Sequence, residues 1–408
     1  MGPQSDVRVS IRRWTGTGRF RERMLPLLTS PRAVAACVLL TYGIFIIDHL
    51  QGRYSAAGFI ELGTRFLTRS HASPTITDAL RLYPPSERSP VGYDGQFFYY
   101  IALDAAHAAP YIDDPAYRYG RIGYPTAAWL LALGRPAWIP YTLILVNLLA
   151  ITGGTYAAAL WLRRQCLSPW LALLYGLYSG LFMGLLVDTS EPLAYGLVAT
   201  AVLLLGGDHR ARGVSAGLVF AAAVLTREIA GLFPLVLGGS LLLRQAPGQR
   251  RLGATVLALA LGPYVLWKAL LGHLLGGAGL MTALLPDPIP LHGLFSYWPW
   301  PAAQQQCLES AVLPAILLLC LIGWAFARGF SSTEAWLLLA NILILIVLLP
   351  PASYAEWKAT GRITVGVVLA ALYCLPLLDR VTHHRRWWLW VVGTLWLALT
   401  PSLLLHAV

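Results

Sequence analysis

The chain has 408 residues, of which 57% are hydrophobic and 12% are charged, and it carries a formal net charge of +11. This composition excludes an intrinsically disordered chain, which combines low hydrophobicity with high charge. It also excludes an ordinary soluble enzyme, which has about twice this fraction of charged residues. The composition predicts an all-α polytopic membrane protein without a separate soluble domain.

Apolar runs that are long enough to cross a bilayer recur from residue 33 to the end of the chain. A crossing helix needs about 17–25 apolar residues, and the sequence predicts about 11 transmembrane helices. We therefore divide the chain into a basic tail, 1–32, and a single transmembrane domain, 33–408. The candidate crossings are 33–50, 137–162, 170–187, 192–207, 213–226, 229–243, 252–271, 311–328, 334–350, 361–378 and 387–405.

Basic residues predict the orientation of the chain, because loops on the cytoplasmic side are enriched in Lys and Arg. The tail 1–32 is rich in arginine, and this topology places the later basic clusters on the same side of the membrane. The N-terminus is therefore predicted to be cytoplasmic, and the two long loops, 51–136 and 272–310, to be extracytoplasmic. Cys307 would face outward and Cys166 inward. Topology also accounts for the positive net charge, so no nucleic-acid partner is expected.

The first long loop contains the stretch "VGYDGQFFYYIALD", residues 91–104. A helix is predicted to start at Gly95, with Asp94 as its N-cap, because Asp is favoured at that position. The helix is too short to span, so it is expected to lie in the membrane interface, as is the segment 123–134. Asp94 has a second interpretation, as a general base beside an aromatic surface.

Two further groups of charged residues lie at the predicted outer ends of crossings, where ionisable side chains are expensive. Asp188 and Glu191, in "VDTSEP", are either catalytic carboxylates that face one way or the polar tip of a hairpin with a capping role. Lys358 and Arg362, in "AEWKATGR", either bind substrate or extend to lipid headgroups.

Arg227 and Glu228 interrupt an apolar run that is too long for one crossing, in "LTREIAG". This interruption predicts a broken or re-entrant helix whose ends face a cavity. The alternative is an Arg–Glu pair that neutralises itself. Together with the preceding groups, these residues predict an outward cavity that contains carboxylates for base chemistry and guanidinium groups for phosphate.

The sequences "GYDGQFFYYIALD", "RYGRIGYP", "DTSEP" and "LTRE" resemble bacterial membrane glycosyltransferases of the GT-C superfamily. The resemblance is to relatives of PIG-V-like mannosyltransferases and to cell-surface glycopolymer formation proteins. It implies a GT-C-like fold with interfacial helices in the first extracytoplasmic loop. It also implies transfer of a sugar such as mannose from a polyprenyl-phosphate donor to a glycan or lipid acceptor of the cell envelope. The reaction would take place on the extracytoplasmic side of a bacterial inner membrane.

The resemblance implies an essential aspartate in the first outer loop, for which we prefer Asp94 to its rival Asp48. The predicted site contains catalytic and substrate-binding residues. The catalytic candidates are Asp94, Asp188 and Glu191, and the substrate-binding candidates are Gln96, Arg118, Arg121, Tyr124, Arg227, Glu228, Lys358 and Arg362. No paired Asp-x-Asp motif is present, so neither a metal nor another cofactor is expected. Two alternative functions are a transporter or lipid-carrier flippase and a non-catalytic partner in polysaccharide assembly.

Overall fold

A computed structural model of the chain describes residues 30–51, 55–67, 73–83, 88–206, 210–275, 286–383 and 385–401. Most of the predicted basic tail lies outside these described residues. Helices dominate the described part, and its residues form no strand, although Gly63 and Ser89 make one isolated bridge. The all-α prediction is therefore confirmed.

The longer helices follow the apolar runs of the sequence closely. They are α1 Pro31–Gln51, α2 Pro74–Arg81, α3 Gly95–Leu103, α4 Gly123–Leu131, α5 Ile139–Arg164, α6 Ser179–Leu186, α7 Glu191–Leu205, α8 Arg210–Thr226, α9 Leu232–Leu243, α10 Pro247–Leu274, α11 Leu313–Ala327, α12 Thr333–Ile342, α13 Val365–Val381 and α14 Trp387–Leu397. Short helices connect them, among them Ala57–Ile60, Pro115–Tyr119, Leu173–Gly176, His292–Phe295, Ala302–Cys307, Pro351–Tyr354 and Trp357–Ile363.

Several helices are long and apolar enough to cross a membrane, which identifies a membrane protein. Within the described residues they number five, or six if a pair of helices bent by 47° forms one crossing. The five are Pro31–Gln51, Pro136–Arg164, Pro247–Leu274, Ala302–Ala327 and Trp357–Val381. The other apolar helices are shorter than a bilayer requires. The count of about 11 crossings therefore stays a prediction.

The interruption at Arg227 is a real break between two helices. Helix α8 ends at Thr226, the backbone of Arg227 is extended (φ −156°, ψ 120°), and a 3₁₀ turn over Glu228–Gly231 leads into α9. Gly123, at the start of α4, packs directly against Thr226, where any side chain would clash. The predicted break is confirmed, and it brings the start of α4 close to it.

Helix α3 starts at Gly95 as predicted, but its surroundings differ from the prediction. All nine of its residues are buried, so no face of it is free to lie along a membrane surface. Asp94 does not cap it: the side chain makes no capping hydrogen bond, and only the Asp94 carbonyl accepts one, from Phe97 N–H at 3.1 Å. Gly95 packs against the carbonyl of Val187, where a Cβ atom would come within 2.5 Å.

The segment that carries Lys358 and Arg362 is enclosed by the rest of the fold. The span Trp357–Val381 is the most enclosed of the five long ones, with 89% of its apolar window buried. Cys307, predicted to face outward, is buried beside Thr360, with Sγ 3.2 Å from the threonine hydroxyl oxygen. Lys358 and Arg362 are therefore carried by a well-anchored element.

The topology can be tested by cysteine labelling. Ala106 is exposed in the first long loop, and the native Cys166 is exposed on the predicted cytoplasmic side. In an Ala106→Cys variant, with the other exposed cysteine changed by Cys320→Ser, an impermeant maleimide should label residue 106 in cells whose inner membrane is intact. Cys166 should react only after that membrane is opened. The reverse order of labelling would overturn the predicted orientation.

Candidate active site

Five segments that are distant in sequence meet at one place in the structure. They are 91–96, before and at the start of α3, then 113–121, 188–191 at the start of α7, 227–228 at the helix break, and 356–362. Most of their charged side chains pair across the segments, and Arg118 also pairs with Asp113 of its own segment. The structure thus brings most of the predicted site residues together.

Asp94 lies between two arginines. Its Oδ1 is 2.8 Å from Nη2 of Arg118, and its Oδ2 is 3.2 Å from Nη2 of Arg362. The Asp94 side chain is 26% exposed, whereas those of Arg118 and Arg362 are 8% and 5% exposed. Burial acts to raise the pKa of Asp94, but the two arginines outweigh it and hold that pKa below its ordinary value. Asp94 is therefore a carboxylate anion at neutral pH.

Glu191 continues this pattern on the buried side of Arg362. One oxygen, Oε1, lies 3.1 Å from Nη1 of Arg362 and 2.8 Å from Nη1 of Arg227. Glu191 and both arginines are buried. Glu191 is thus not at an exposed hairpin tip, and Arg362 does not extend to headgroups: each buried charge instead meets an opposite one.

Arg227 and Glu228 do not pair with each other, contrary to the self-neutralising alternative. Glu228 binds Arg121 through two hydrogen bonds, at 2.7 and 3.0 Å. Arg121 also donates to the hydroxyl of Tyr117 and lies 4.1 Å from the centre of that ring. The extended backbone at Arg227 separates the two neighbouring side chains, so Arg227 turns to Glu191 instead.

Arg118 is held on its other side by Asp113. The guanidinium donates two hydrogen bonds to that carboxylate, from Nε at 2.9 Å and from Nη2 at 2.8 Å. It also lies over the ring of Phe97, 4.6 Å from its centre. The site therefore contains a run of alternating charges, which we call the charge chain: Asp113, Arg118, Asp94, Arg362, Glu191 and Arg227.

A second set of polar contacts ties the first loop to the segment around Lys358. The Tyr93 hydroxyl donates to Glu356 at 2.7 Å and accepts from Nη2 of Arg362 at 3.0 Å. Lys358 pairs with Glu61 at 2.8 Å and is partly exposed. Lys358 is thus near the site but outside the charge chain, and its ion pair joins the segment 356–362 to the first loop.

Asp188 is separate from the arginines. It is fully buried, and the contact that the described residues give its carboxylate is 3.4 Å, from Oδ1 to the Tyr124 hydroxyl. Asn147 donates to the same hydroxyl at 2.8 Å. Burial raises the pKa of Asp188, and none of the described residues places a cation against its carboxylate to offset the loss of water. Asp188 and Glu191 therefore do not act as one carboxylate pair, as their spacing suggested.

Gln96 braces the loop that carries Asp94. Its Oε1 accepts from the Gly63 N–H at 3.1 Å, and its Nε2 donates to the Val91 carbonyl at 3.1 Å. The turn at Gly92 (φ 75°) has the left-handed backbone that glycine tolerates. Gln96 therefore fixes the loop as well as contributing to the wall of the cavity described next.

A cavity of about 470 Å³ opens beside Asp94. Its wall is mostly polar and includes charged, amide and aromatic side chains. Among these are Tyr93, Asp94, Gln96, Phe97, Asp113 and Arg118. Arg362, Glu191 and Arg227 lie behind Asp94, away from this wall. A ligand in the cavity would therefore meet Asp94 and Arg118 first.

Sequence reasoning missed several partners of the predicted residues. Asp113, Tyr93 and Glu356 were not singled out, although Asp113 stands within "YIDDPAYRYGRIGYP" beside Arg118. The rival aspartate, Asp48, lies near the end of α1 and makes no ion pair with any described residue. Among the described residues, no group of three or more His, Cys, Asp and Glu side chains could hold a metal ion.

Comparisons with known proteins add no relative: no family model, no curated protein and no solved structure matches this chain.

The charge chain predicts a large stability cost when its buried acid is removed. Glu191→Gln leaves Arg362 and Arg227 without their shared carboxylate, and breaking a buried pair in this way costs about 3–5 kcal/mol. A clear fall in the thermal unfolding temperature of the purified protein in detergent is expected. The control is Asp78→Asn, which removes an exposed partner of Arg81 on α2 and should leave that temperature unchanged. An equal fall in the unfolding temperature for Glu191→Gln and Asp78→Asn would contradict the charge chain.

Proposed function

We propose that the protein is a membrane glycosyltransferase that moves a sugar such as mannose from a polyprenyl-phosphate donor to a glycan or lipid acceptor of the cell envelope. The reaction would take place on the extracytoplasmic side of a bacterial inner membrane. The observation that carries the proposal is Asp94, held between Arg118 and Arg362 at the wall of a polar cavity.

The arginines of the charge chain support the phosphate part of the proposal. A guanidinium group can bind phosphate through two parallel hydrogen bonds, and it stays charged when it is buried. Arg118 and Arg362 approach Asp94 from two sides, so a phosphate in the cavity would meet Arg118 directly and would reach Arg362 once the Asp94 carboxylate moved aside. Glu191 and Asp113 are the other acidic partners of these arginines and hold them in place.

An apolar groove of about 460 Å³ supports the lipid part of the proposal. It lies between α4, α5 and α7, and its wall includes Ala127, Val146, Gly153, Leu193, Gly196 and Thr200. One end of the groove adjoins the site, because Ala127 follows Tyr124 by one helical turn and Leu193 is two residues after Glu191. From Val146 to Gly153 the groove follows α5 for roughly 10 Å, at 1.5 Å per residue. A prenyl chain would fit there while its phosphate reached the arginines.

The chemistry that we propose is a single displacement. An acceptor hydroxyl oxygen attacks the anomeric carbon of the sugar while the bond from that carbon to the phosphate oxygen breaks. The electron pair of the broken bond leaves with the phosphate, where Arg118 and Arg362 stabilise the negative charge. Asp94 accepts the proton of the hydroxyl. Arg227, Arg121 and Glu228 act by positioning, since each is paired within the protein.

Asp94→Asn tests the catalytic role. The change keeps the shape of the side chain but removes the base, so sugar transfer should fall by about 10²–10⁴, the usual effect of a positioned base. The measurement is transfer of radiolabelled sugar from a polyprenyl-phosphate donor to a membrane acceptor by purified protein, with the unfolding temperature recorded in parallel.

Asp113→Asn is the matched control for the loss of an ion pair. It also removes a carboxylate from Arg118 at the same cavity wall, but it leaves the base in place and Asp113 does not contact Arg362, so its loss of activity should be clearly smaller than that of Asp94→Asn. Full activity in a folded Asp94→Asn protein would remove Asp94 from the mechanism. If the wild-type protein transfers no sugar across a panel of donors and acceptors, the transporter or assembly-partner function replaces the enzyme.

Gly153→Phe tests the groove. A Cβ atom at Gly153 would meet no atom within 4 Å, so the phenylalanine can enter the groove without displacing the helix. The KM for a long-chain prenyl-phosphate sugar should rise, while the KM for a short-chain analogue should stay the same. Gly323→Phe on α11 is the control, because that glycine is equally unobstructed and lies outside the groove. An equal rise for both chain lengths would contradict a prenyl site here.

A further inference from the structure

Asp94 is bound in a way that conflicts with work as a base. A carboxylate with two arginine partners holds a proton poorly, and its pKa lies below the ordinary range. A general base works best when its pKa is near the operating pH. If Asp94 accepts a proton during the reaction, these ion pairs must first be weakened.

The two arginines can release Asp94 without losing all their partners. Arg118 keeps its two hydrogen bonds to Asp113. Arg362 keeps Glu191, at 3.1 Å, and its Nε donates to the Lys358 carbonyl at 2.9 Å. Both guanidinium groups would therefore stay in place while Asp94 moved away.

Asp94 is also the most exposed of these three residues. It is 26% exposed and lines the cavity, whereas the arginines on either side of it are almost fully buried. An anion that enters the cavity competes directly with Asp94 for Arg118. A phosphate has more oxygen acceptors and more negative charge than the single carboxylate that it would replace.

We propose that Asp94 is a displaceable anion: the phosphate of the donor takes its place as the partner of Arg118 and Arg362, and the displaced carboxylate becomes the base. This inference rests on the proposed function, since it assumes a phosphate-bearing donor. It makes donor binding the event that prepares Asp94 for the acceptor, so the donor binds first and the acceptor second.

The proposal predicts that the loss of the Asp94 carboxylate increases phosphate affinity, whereas a purely structural role of Asp94 would not. Asp94→Asn removes the competing anion, so the variant should bind farnesyl phosphate in detergent about tenfold more tightly than the wild type, because the binding-competent arginines no longer have to be freed. The measurement is isothermal titration calorimetry, with inorganic phosphate titrated in parallel. If the affinity rises for both ligands, the site recognises the phosphate group alone. If the affinity rises for farnesyl phosphate but not for inorganic phosphate, the site also needs the lipid.

Asp113→Asn separates displacement from a general change in charge. It removes one negative charge from the same cavity but releases Arg118 alone, so its gain in affinity should be clearly smaller. Asp78→Asn, on α2, should bind farnesyl phosphate like the wild type. Equal gains in affinity for Asp94→Asn and Asp113→Asn would show that the loss of any negative charge at the cavity is sufficient, and would overturn the proposal. So would unchanged or weaker binding by Asp94→Asn.

The wild-type protein provides a second test that does not depend on the folding of a variant. Water-soluble carbodiimides react with protonated carboxyl groups, so Asp94 should be labelled more when farnesyl phosphate is present, as mapped by mass spectrometry of peptides. Reduced labelling would overturn the displacement. Neither test measures sugar transfer: if transfer fails while affinity rises, the displacement stands and the glycosyltransferase does not. If transfer occurs and the affinity gain is absent, the reverse holds.

Discussion

The neutralisation of buried charge is the constraint on which the region around Asp94 depends. Arg362, Arg227 and Glu191 are almost fully buried, and an isolated charge there would cost several kcal/mol. Each therefore has an opposite charge within 3.2 Å, and the partners come from segments far apart in the sequence. The pairing holds α7, the helix break and the segment around Arg362 together. The first loop joins these segments through the ion pairs of Asp94. The cavity wall therefore forms where charged side chains from distant segments pair.

Local features of the sequence predicted the all-α class and the break correctly, because these depend on near neighbours. Arg227 and Glu228 interrupt an apolar run, and the chain does leave the helical conformation there. Helix α3 begins at Gly95, because a turn at Gly92 directly precedes it and a run of apolar residues follows it. The same reasoning identified Asp94 and Arg362, since a charge within an apolar segment needs a special surrounding.

The partners of these charges could not be predicted, because they depend on how the helices pack. Asp94 and Arg362 lie 268 positions apart, and no local pattern joins them. Proximity in sequence was misleading at Arg227 and Glu228, where the extended backbone directs the two side chains to different partners. It was misleading again at Asp188 and Glu191, whose carboxylates lie in different surroundings although three positions separate them. Asp94 does not have the expected capping role, and its charge is instead neutralised by two ion pairs.

One oxygen of Glu191 accepts from both Arg362 and Arg227, so substitutions in the two segments that carry these arginines should be linked to substitutions at Glu191. Loss of either arginine leaves Glu191 paired with the other, whereas loss of Glu191 takes the acidic partner from the buried Arg227, so substitution is most costly at Glu191. Divergence at Glu191 then needs a paired replacement, such as its loss together with a neutral residue at Arg227. In orthologous chains these three positions should covary as a unit, while the lipid-facing residues around them drift freely among apolar types.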